Sequence, residues 1–247
     1  VCAPVFERVQ IHDSYACRPG KGTKAALERA AHLARRRPFF LKLDVCKYFD
    51  TICRARLKTQ MRRLFKEPRL LALLDAVIDG YRPGADAGLP IGNLTSQFFA
   101  NHYLAGLDHW IKEVLRVPGY VRYMDDMVLW GASTGELGHW ADAIRDDCRD
   151  RLGLVLKPPV MNRSSAGLPF LGFVVFPGTL RLSGRGCRRA RRRLRACEQA
   201  LIGGQIGDET AAAIARGVLG RTDWASGTAL RRRLLPQDFG HGPWART

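Results

Sequence analysis

The sequence has seven cysteines but no CxxC among them, and the odd count excludes a simple disulfide framework. Six histidines supply no HExxH, so the usual zinc-ligand spacings are also missing. No apolar run approaches the roughly 18 residues that a membrane-spanning helix requires. No internal repeat is present, and the one low-complexity tract is rich in arginine. Scattered thiols fit a reducing compartment, so a cytoplasmic location is expected. The chain opens at Val1 with no signal-peptide pattern, which leads us to expect a piece of a longer protein.

Acidic residues are the scarce charge. Lys and Arg number 40 against 23 Asp and Glu, a formal charge of +17, and this points to an anionic partner, with nucleic acid the first choice. The imbalance is local as well. RLSGRGCRRARRRLRAC, residues 181–197, carries eight arginines and no acid, in a pattern that reads as a helix basic nearly all round. A basic helix is usually a solvated face, but one without acidic neighbours is better suited to phosphates. Four aspartates stand together between Asp142 and Asp150 on another helical segment.

At 46% hydrophobic, the 247 residues can build a sizeable core, and the coarse pattern mixes both element types. Helices are expected over 25–36, with Pro38 at the end, once or twice between 54 and 80, over 95–114 as one long amphipathic helix, and over 136–152. Strands are expected at 39–44 (FFLKLD), 121–124, 127–130 and 170–176 (FLGFVVF). GLPIGN, 88–93, reads as a turn-rich loop. This is an α+β arrangement, a sheet covered by helices with a helical C-terminal part.

YVRYMDDMVLW, residues 120–130, contains the pattern's main anomaly. Asp125 and Asp126 are adjacent like charges between strand-forming runs, where Asp is depleted and the two repel. Asp44 closes the apolar strand LKLD, and a sheet can bring it to the same place. Carboxylates so gathered call for a divalent cation, and Mg²⁺ suits, since it binds one or two carboxylates plus phosphates and water. A pair of such ions about 4 Å apart would activate a 3′-hydroxyl and stabilise a pyrophosphate leaving group. Any single Asp at a strand end is more often a cap or turn residue.

Five segments occur in a telling order: FLKLDVCKYFDTI, GLPIGNLTSQFFAN, YVRYMDDMVLW, LGLVLKPP and GLPFLGFVVFPG. They resemble the palm motifs A to E of reverse transcriptases, and IHDSYACRPGKGTKAA resembles the end of the fingers. The likeness covers about residues 5–197. IGNLTSQ and DSYACRPGKGT are most similar to the bacterial enzymes of diversity-generating retroelements, with group II intron and retron enzymes more distant.

The resemblance implies a right-hand polymerase. Partial fingers are expected over 1–38, a ferredoxin-like antiparallel palm over 39–176 with connecting helices near 54–86, and a helical thumb over 177–247. It implies RNA-directed DNA synthesis with two Mg²⁺ ions, Mn²⁺ being able to substitute. Partners would be an RNA template, a DNA primer or RNA–DNA hybrid, dNTPs and a small basic accessory protein, with no membrane.

By the same resemblance Asp44, Asp125 and Asp126 are the catalytic carboxylates, and the Val45 carbonyl adds a metal ligand. Phe49 would be the steric gate against a ribose 2′-hydroxyl, although beside Tyr48 it also reads as an ordinary core pair. Arg18, Lys21, Tyr48, Ile91, Gln97 and Lys157 are expected near the dNTP. GKGT alone is a weak signal, and Lys157 reads equally as a surface lysine. Gly92, Asn93, Ser96, Arg122, Leu171, Gly172, Arg188 and Arg192 are expected against template and primer. Many relatives carry QGxxxSP where this chain has Ile91 and Gln97, which implies reduced fidelity opposite template adenine. Residues 208–227, after the basic helix, contain no HNH-like histidines. Rival readings are a group II intron, retron or phage-defence enzyme, or an RNA-binding scaffold without catalysis.

Overall fold

The computed structural model describes residues 2–80, 86–220 and 224–225. Two compact units divide the chain between Ser164 and Ser165. The first unit is built on a four-stranded antiparallel sheet in the order β2-β3-β1-β4. Its strands are β1 (Phe39–Leu43), β2 (Gly119–Tyr123), β3 (Asp126–Gly131) and β4 (Val160–Arg163). β1 is central, with Phe39 opposite Gly131 of β3 and Arg163 of β4.

The helices of this unit are α1 (Ala3–Arg8), α2 (Thr23–Arg36), α3 (Tyr48–Thr51), α4 (Arg54–Leu64), α5 (Pro68–Asp79), α6 (Leu94–Tyr103), α7 (Ala105–His109) and α8 (Thr134–Asp147). Helices cover both faces of the sheet. Leu41, Leu43, Met127 and Leu129 share a core with Tyr103 and Leu107 of α6 and α7 and with Leu137 and Ile144 of α8. On β2, Gly119 lets Leu33 of α2 pack closely, since an added Cβ would stand 3.3 Å from Leu33 Cδ2. This two-sided burial explains MVLW: a strand covered on both faces has no polar alternation to show.

The long helix expected over 95–114 is broken instead. α6 stops at Tyr103, α7 follows, and a π-helical turn runs from Trp110 to Val114. The helix expected over 136–152 is α8 plus a second π-helical turn, Cys148–Leu152, closed by Gly153 at φ 69°. β4 was not expected from the sequence; all four of its residues are exposed, so no burial pattern marks them.

The second unit holds a three-stranded antiparallel sheet, β5 (Leu168–Phe170), β6 (Phe173–Phe176) and β7 (Thr179–Leu182), then α9 (Gly184–Ile202) and α10 (Asp208–Leu219). FLGFVVF is thus two strands and not one, because Leu171 (φ 50°) and Gly172 (φ 86°) turn the chain between them. Ala190 and Leu194 of α9 pack against Ala215 and Val218 of α10. The end of the expected thumb, 226–247, lies outside the described residues. Among the described residues no helix is long and apolar enough to cross a membrane.

Candidate active site

Tyr123 pairs with Asp126, so only Met124 and Asp125 form the loop of the β2–β3 hairpin. Such two-residue loops favour Asn or Gly because φ must become positive. Here Met124 adopts φ 56°, a left-handed conformation that costs an ordinary residue about 1–2 kcal/mol. The turn therefore has poor chemistry for a turn, and it is held from below.

The support is Arg122, fully buried, whose Nη1 donates to the Met124 carbonyl at 2.9 Å. Its Nε and Nη2 grip both oxygens of the equally buried Asp108 at 2.6–2.9 Å. Nη1 also donates to Asn101 Oδ1 at 3.1 Å, and the Tyr120 hydroxyl donates to Asp108 at 2.7 Å. Burial works against the Arg122 charge, but Asp108 more than offsets it and the guanidinium pKa is raised. The 13–15 segment clasps the same strand: Arg122 N–H donates to the Asp13 carbonyl and Tyr15 N–H to the Arg122 carbonyl, both at 2.9 Å. Arg122 was expected against the template or primer. Enclosed as it is, it reaches no surface and instead positions the hairpin.

Asp44 follows β1 directly. Residues 44–46 pair with 155–157: Lys157 N–H donates to the Asp44 carbonyl and Cys46 N–H to the Val155 carbonyl, both at 2.8 Å. In this antiparallel pattern the Val45 carbonyl faces away from residues 155–157. The pairing also sets Lys157 Nζ 2.7 Å from Asp44 Oδ1, so the lysine that also reads as a surface residue stands on the first carboxylate. That hydrogen bond raises the Lys157 pKa.

A second lysine went unnoticed in the sequence. Lys42 Nζ lies 3.0 Å from Asp126 Oδ1. The signal was available: in a strand, Lys42 and Asp44 lie two apart and share a face. Among the described residues Asp125 forms no such ion pair with a lysine. Its pKa is raised, first by burial and further by the charges of Asp44 and Asp126, while its own backbone N–H and Lys157 pull the other way. Asp125 therefore feels both of the other carboxylates.

The donor set fits a hard cation in kind, being carboxylate oxygens beside a backbone carbonyl. Asp44 Oδ1 and Asp126 Oδ1 are shut off from water, and each faces a lysine ammonium as its counter-charge. Among the described residues, however, no three His, Cys, Asp or Glu side chains are arranged to hold a metal ion.

Other expected residues frame this centre. The Tyr48 hydroxyl donates to the Ala100 carbonyl at 2.6 Å, and burial holds its pKa well above the usual phenol value. Phe49 meets Tyr48 edge to face at 5.8 Å, and its carbonyl accepts from Leu89 N–H at 2.8 Å. That bond and the donation of Gly88 N–H to the Ile52 carbonyl lace the 88–93 loop to the aromatic pair. Buried Arg54 completes the lacing through Nε to the Gly88 carbonyl.

Ile91 is 75% exposed, and Gly92 holds φ 100° with open space around it, so its conformation and not crowding selects glycine. Asn93 and Gln97 lie at the start of α6 with Asn93 exposed, whereas Ser96 is buried in it and faces the interior.

Two expected dNTP ligands are already engaged. Arg18 binds Glu7 through Nε and Nη2 and donates through Nη1 to the Ile11 and Ser14 carbonyls at 2.6 Å. Lys21 Nζ donates to the His12 carbonyl at 2.9 Å and lies 5.0 Å from the centre of the Tyr15 ring. Burial lowers the Lys21 pKa. In the second unit Leu171 and Gly172 form the β5–β6 turn, and Arg188 and Arg192 are exposed on α9.

No family model matches the chain, and neither does any curated protein. Solved structures do. Telomerase from Candida albicans, in complex with a TWJ fragment of telomeric RNA, superposes with a TM-score of 0.56 at 11% identity over 90% of this chain. Apo telomerase from Candida tropicalis gives 0.55 at 13% identity over 75%. A foamy viral protease–reverse transcriptase in complex with RNA/DNA hybrid is a weaker match, at 0.44 and 15% identity. The chain spans 47% and 41% of the two telomerase chains. At these identities the likeness shows the fold alone: a mixed α/β chain with antiparallel sheets, similar in fold to the telomerase structures.

Proposed function

We propose that this chain is the polymerase part of an RNA-directed DNA polymerase, extending a DNA primer along an RNA template. The observation that carries this is the meeting of Asp44 and Asp125 at the ends of neighbouring strands. There burial and mutual repulsion raise the proton affinity of Asp125, in a protein otherwise strongly basic. The fold likeness and the RNA bound by the Candida albicans relative support a nucleic-acid partner.

Asp44, Asp125 and the Val45 carbonyl would hold two Mg²⁺ ions, or Mn²⁺ in their place, with Asp126 in support, supplying the Lewis acidity that nucleotidyl transfer needs. The protein's own residues do the rest. The buried Arg122–Asp108 pair fixes the hairpin that presents Asp125. Lys157, already beside Asp44, protonates the departing pyrophosphate. Phe49, tied to the 88–93 loop, excludes a ribose 2′-hydroxyl. The second unit's exposed arginines follow the hybrid backbone.

The finer class rests on the 91–97 segment, the turn and the start of α6. An exposed apolar Ile91 offers no hydrogen bond to the incoming nucleotide's sugar, which favours the error-prone enzymes of diversity-generating retroelements over group II intron or retron types. A small basic accessory protein would then assist.

Primer extension on poly(rA)/oligo(dT) with Mg²⁺ or Mn²⁺ is the test. The parent should incorporate dTTP and Asp125→Asn should lose at least a hundredfold, the scale of a removed charge-stabilising group. Equal incorporation by both would leave a non-catalytic RNA-binding scaffold as the better reading. On a mixed template, Ile91→Gln should lower misincorporation opposite adenine; an unchanged error rate removes Ile91 from the account.

A further inference from the structure

The far end of the sheet gathers a second group of cations. Arg35 and Arg36 close α2, Arg37 follows, and Arg163 ends β4. The backbone brings the two segments together. Phe39 and Arg163 are cross-strand partners, Ser164 N–H donates to the Pro38 carbonyl at 2.7 Å, and Ser164 Oγ donates to the Arg37 carbonyl at 2.7 Å. The Arg163 guanidinium lies over the Phe39 ring, 5.9 Å from its centre.

Arg35, Arg36 and Arg163 are exposed and Arg37 half-buried, and among the described residues none of the four forms an ion pair with an acid. Glu136 stands near this end and accepts from Ala132 N–H at 2.7 Å, a bond that orients its carboxylate and leaves its charge in place. His32, one turn before Arg36, has its pKa lowered first by the Arg36 charge and further by Arg29 and Arg35. Four cations face that one carboxylate, and the local field is positive on balance.

Cations at a helix C-terminus are favoured by the helix dipole, and that accounts for Arg35 and Arg36. It does not account for Arg163, which arrives from a separate strand and adds like charge to the group.

We propose that this end of the sheet is a second phosphate-binding surface, which takes the backbone of single-stranded RNA outside the active site. Asp44 is five residue steps along the chain from Phe39, roughly 16 Å at about 3.3 Å per step, so a different stretch of the strand is engaged here. Planar guanidinium groups suit phosphate oxygens, and the covered Phe39 ring leaves backbone contact in place of base stacking. A carboxylate-rich protein would use the same chemistry. RNA is favoured because the chain carries +17, and its other exposed basic face, α9, likewise has no acid in its arginine-rich part. The inference rests on the reading that this chain handles nucleic acid.

The test compares the full chain with Arg36→Gln/Arg163→Gln, using labelled oligo(rU) in a salt titration followed by fluorescence anisotropy. Each phosphate contact on a single strand contributes about 0.7 to the log–log slope, so losing two should reduce its magnitude by about 1.4. Arg36→Lys/Arg163→Lys should largely restore the slope, and circular dichroism should report an unchanged fold for both. An α9 variant, Arg188→Gln/Arg192→Gln, separates the two levels of the argument. If it weakens binding while the sheet-end variant leaves the slope intact, the surface is refuted and the nucleic-acid reading stands. If the parent binds no RNA, both fall. Loss of polyglutamate binding in the sheet-end variant with RNA binding unchanged assigns the surface to an acidic protein and overturns the proposal.

Discussion

Arg122 and Asp125 divide the work of the hairpin at the scale of single residues. Arg122 is enclosed with Asp108, and removing one member of a buried pair leaves the other charge unpaired. Arg122→Ala should therefore cost about 3–5 kcal/mol in urea denaturation, whereas Arg122→Met/Asp108→Leu should cost much less. A loss below about 1 kcal/mol for the single variant would show that the pair does not support the fold. Asp125 is set up the opposite way. A carboxyl whose proton affinity is raised on folding weakens the fold wherever it is ionised. That penalty is complete above its raised folded value and absent below the ordinary carboxylate range. Asp125→Asn should consequently raise the melting temperature at neutral pH without divalent metal, and the advantage should vanish as the pH falls through that range. An advantage that persists in acid would point to packing as its source.

At the scale of elements, close approach decides which segments stay together. In the second unit Gly186 lies in the first turn of α9, where an added Cβ would stand 2.8 Å from the Gly172 carbonyl and 2.9 Å from Leu182 Cγ. The helix therefore docks on the β5–β6 turn through a glycine that needs no special φ. Gly186→Ala should destabilise by about 1–3 kcal/mol despite alanine's better helix propensity, as read by thermal melting. A gain in stability would mean that the helix does not sit on the turn. Gly186 stands inside an arginine tract, so the sequence pattern reads as charge while the constraint is steric. The break of the expected 95–114 helix at Leu104 was similarly hidden, because Phe99, Tyr103, Leu107 and Ile111 keep helical spacing through the break. Periodicity reports which side is buried and not whether the hydrogen-bond ladder is continuous.

For the whole molecule, charge is the property with the longest reach. A chain at +17 whose α9 exposes Arg185, Arg188, Arg189, Arg191, Arg192, Arg193 and Arg195 should bind RNA–DNA hybrid in a strongly salt-dependent way. If four of them meet phosphates, the log–log slope should reach about −3.6, at about −0.9 per contact on a B-form duplex. A flat profile would remove α9 from the nucleic-acid interface. The division into two units also belongs to this scale, and no composition change at Ser164 announces it. It follows from which strands pair: β4 completes the first sheet, and β5 opens the second.

By itself the sequence determined the chemistry on offer. Asp44, Asp125 and Asp126 at strand ends, an apolar chain able to bury both faces of a sheet, and a basic tract without acids are all local properties, legible from residue type and spacing. Only the tertiary structure decided which charges meet. It enclosed Arg122 with Asp108, set Lys157 on Asp44 and Lys42 on Asp126, and turned Ser96 inward. It also carried Arg163 to the end of α2. These pairings join residues far apart in the chain or on different strands, and their energies depend on burial and distance. Neither quantity exists until the chain has folded.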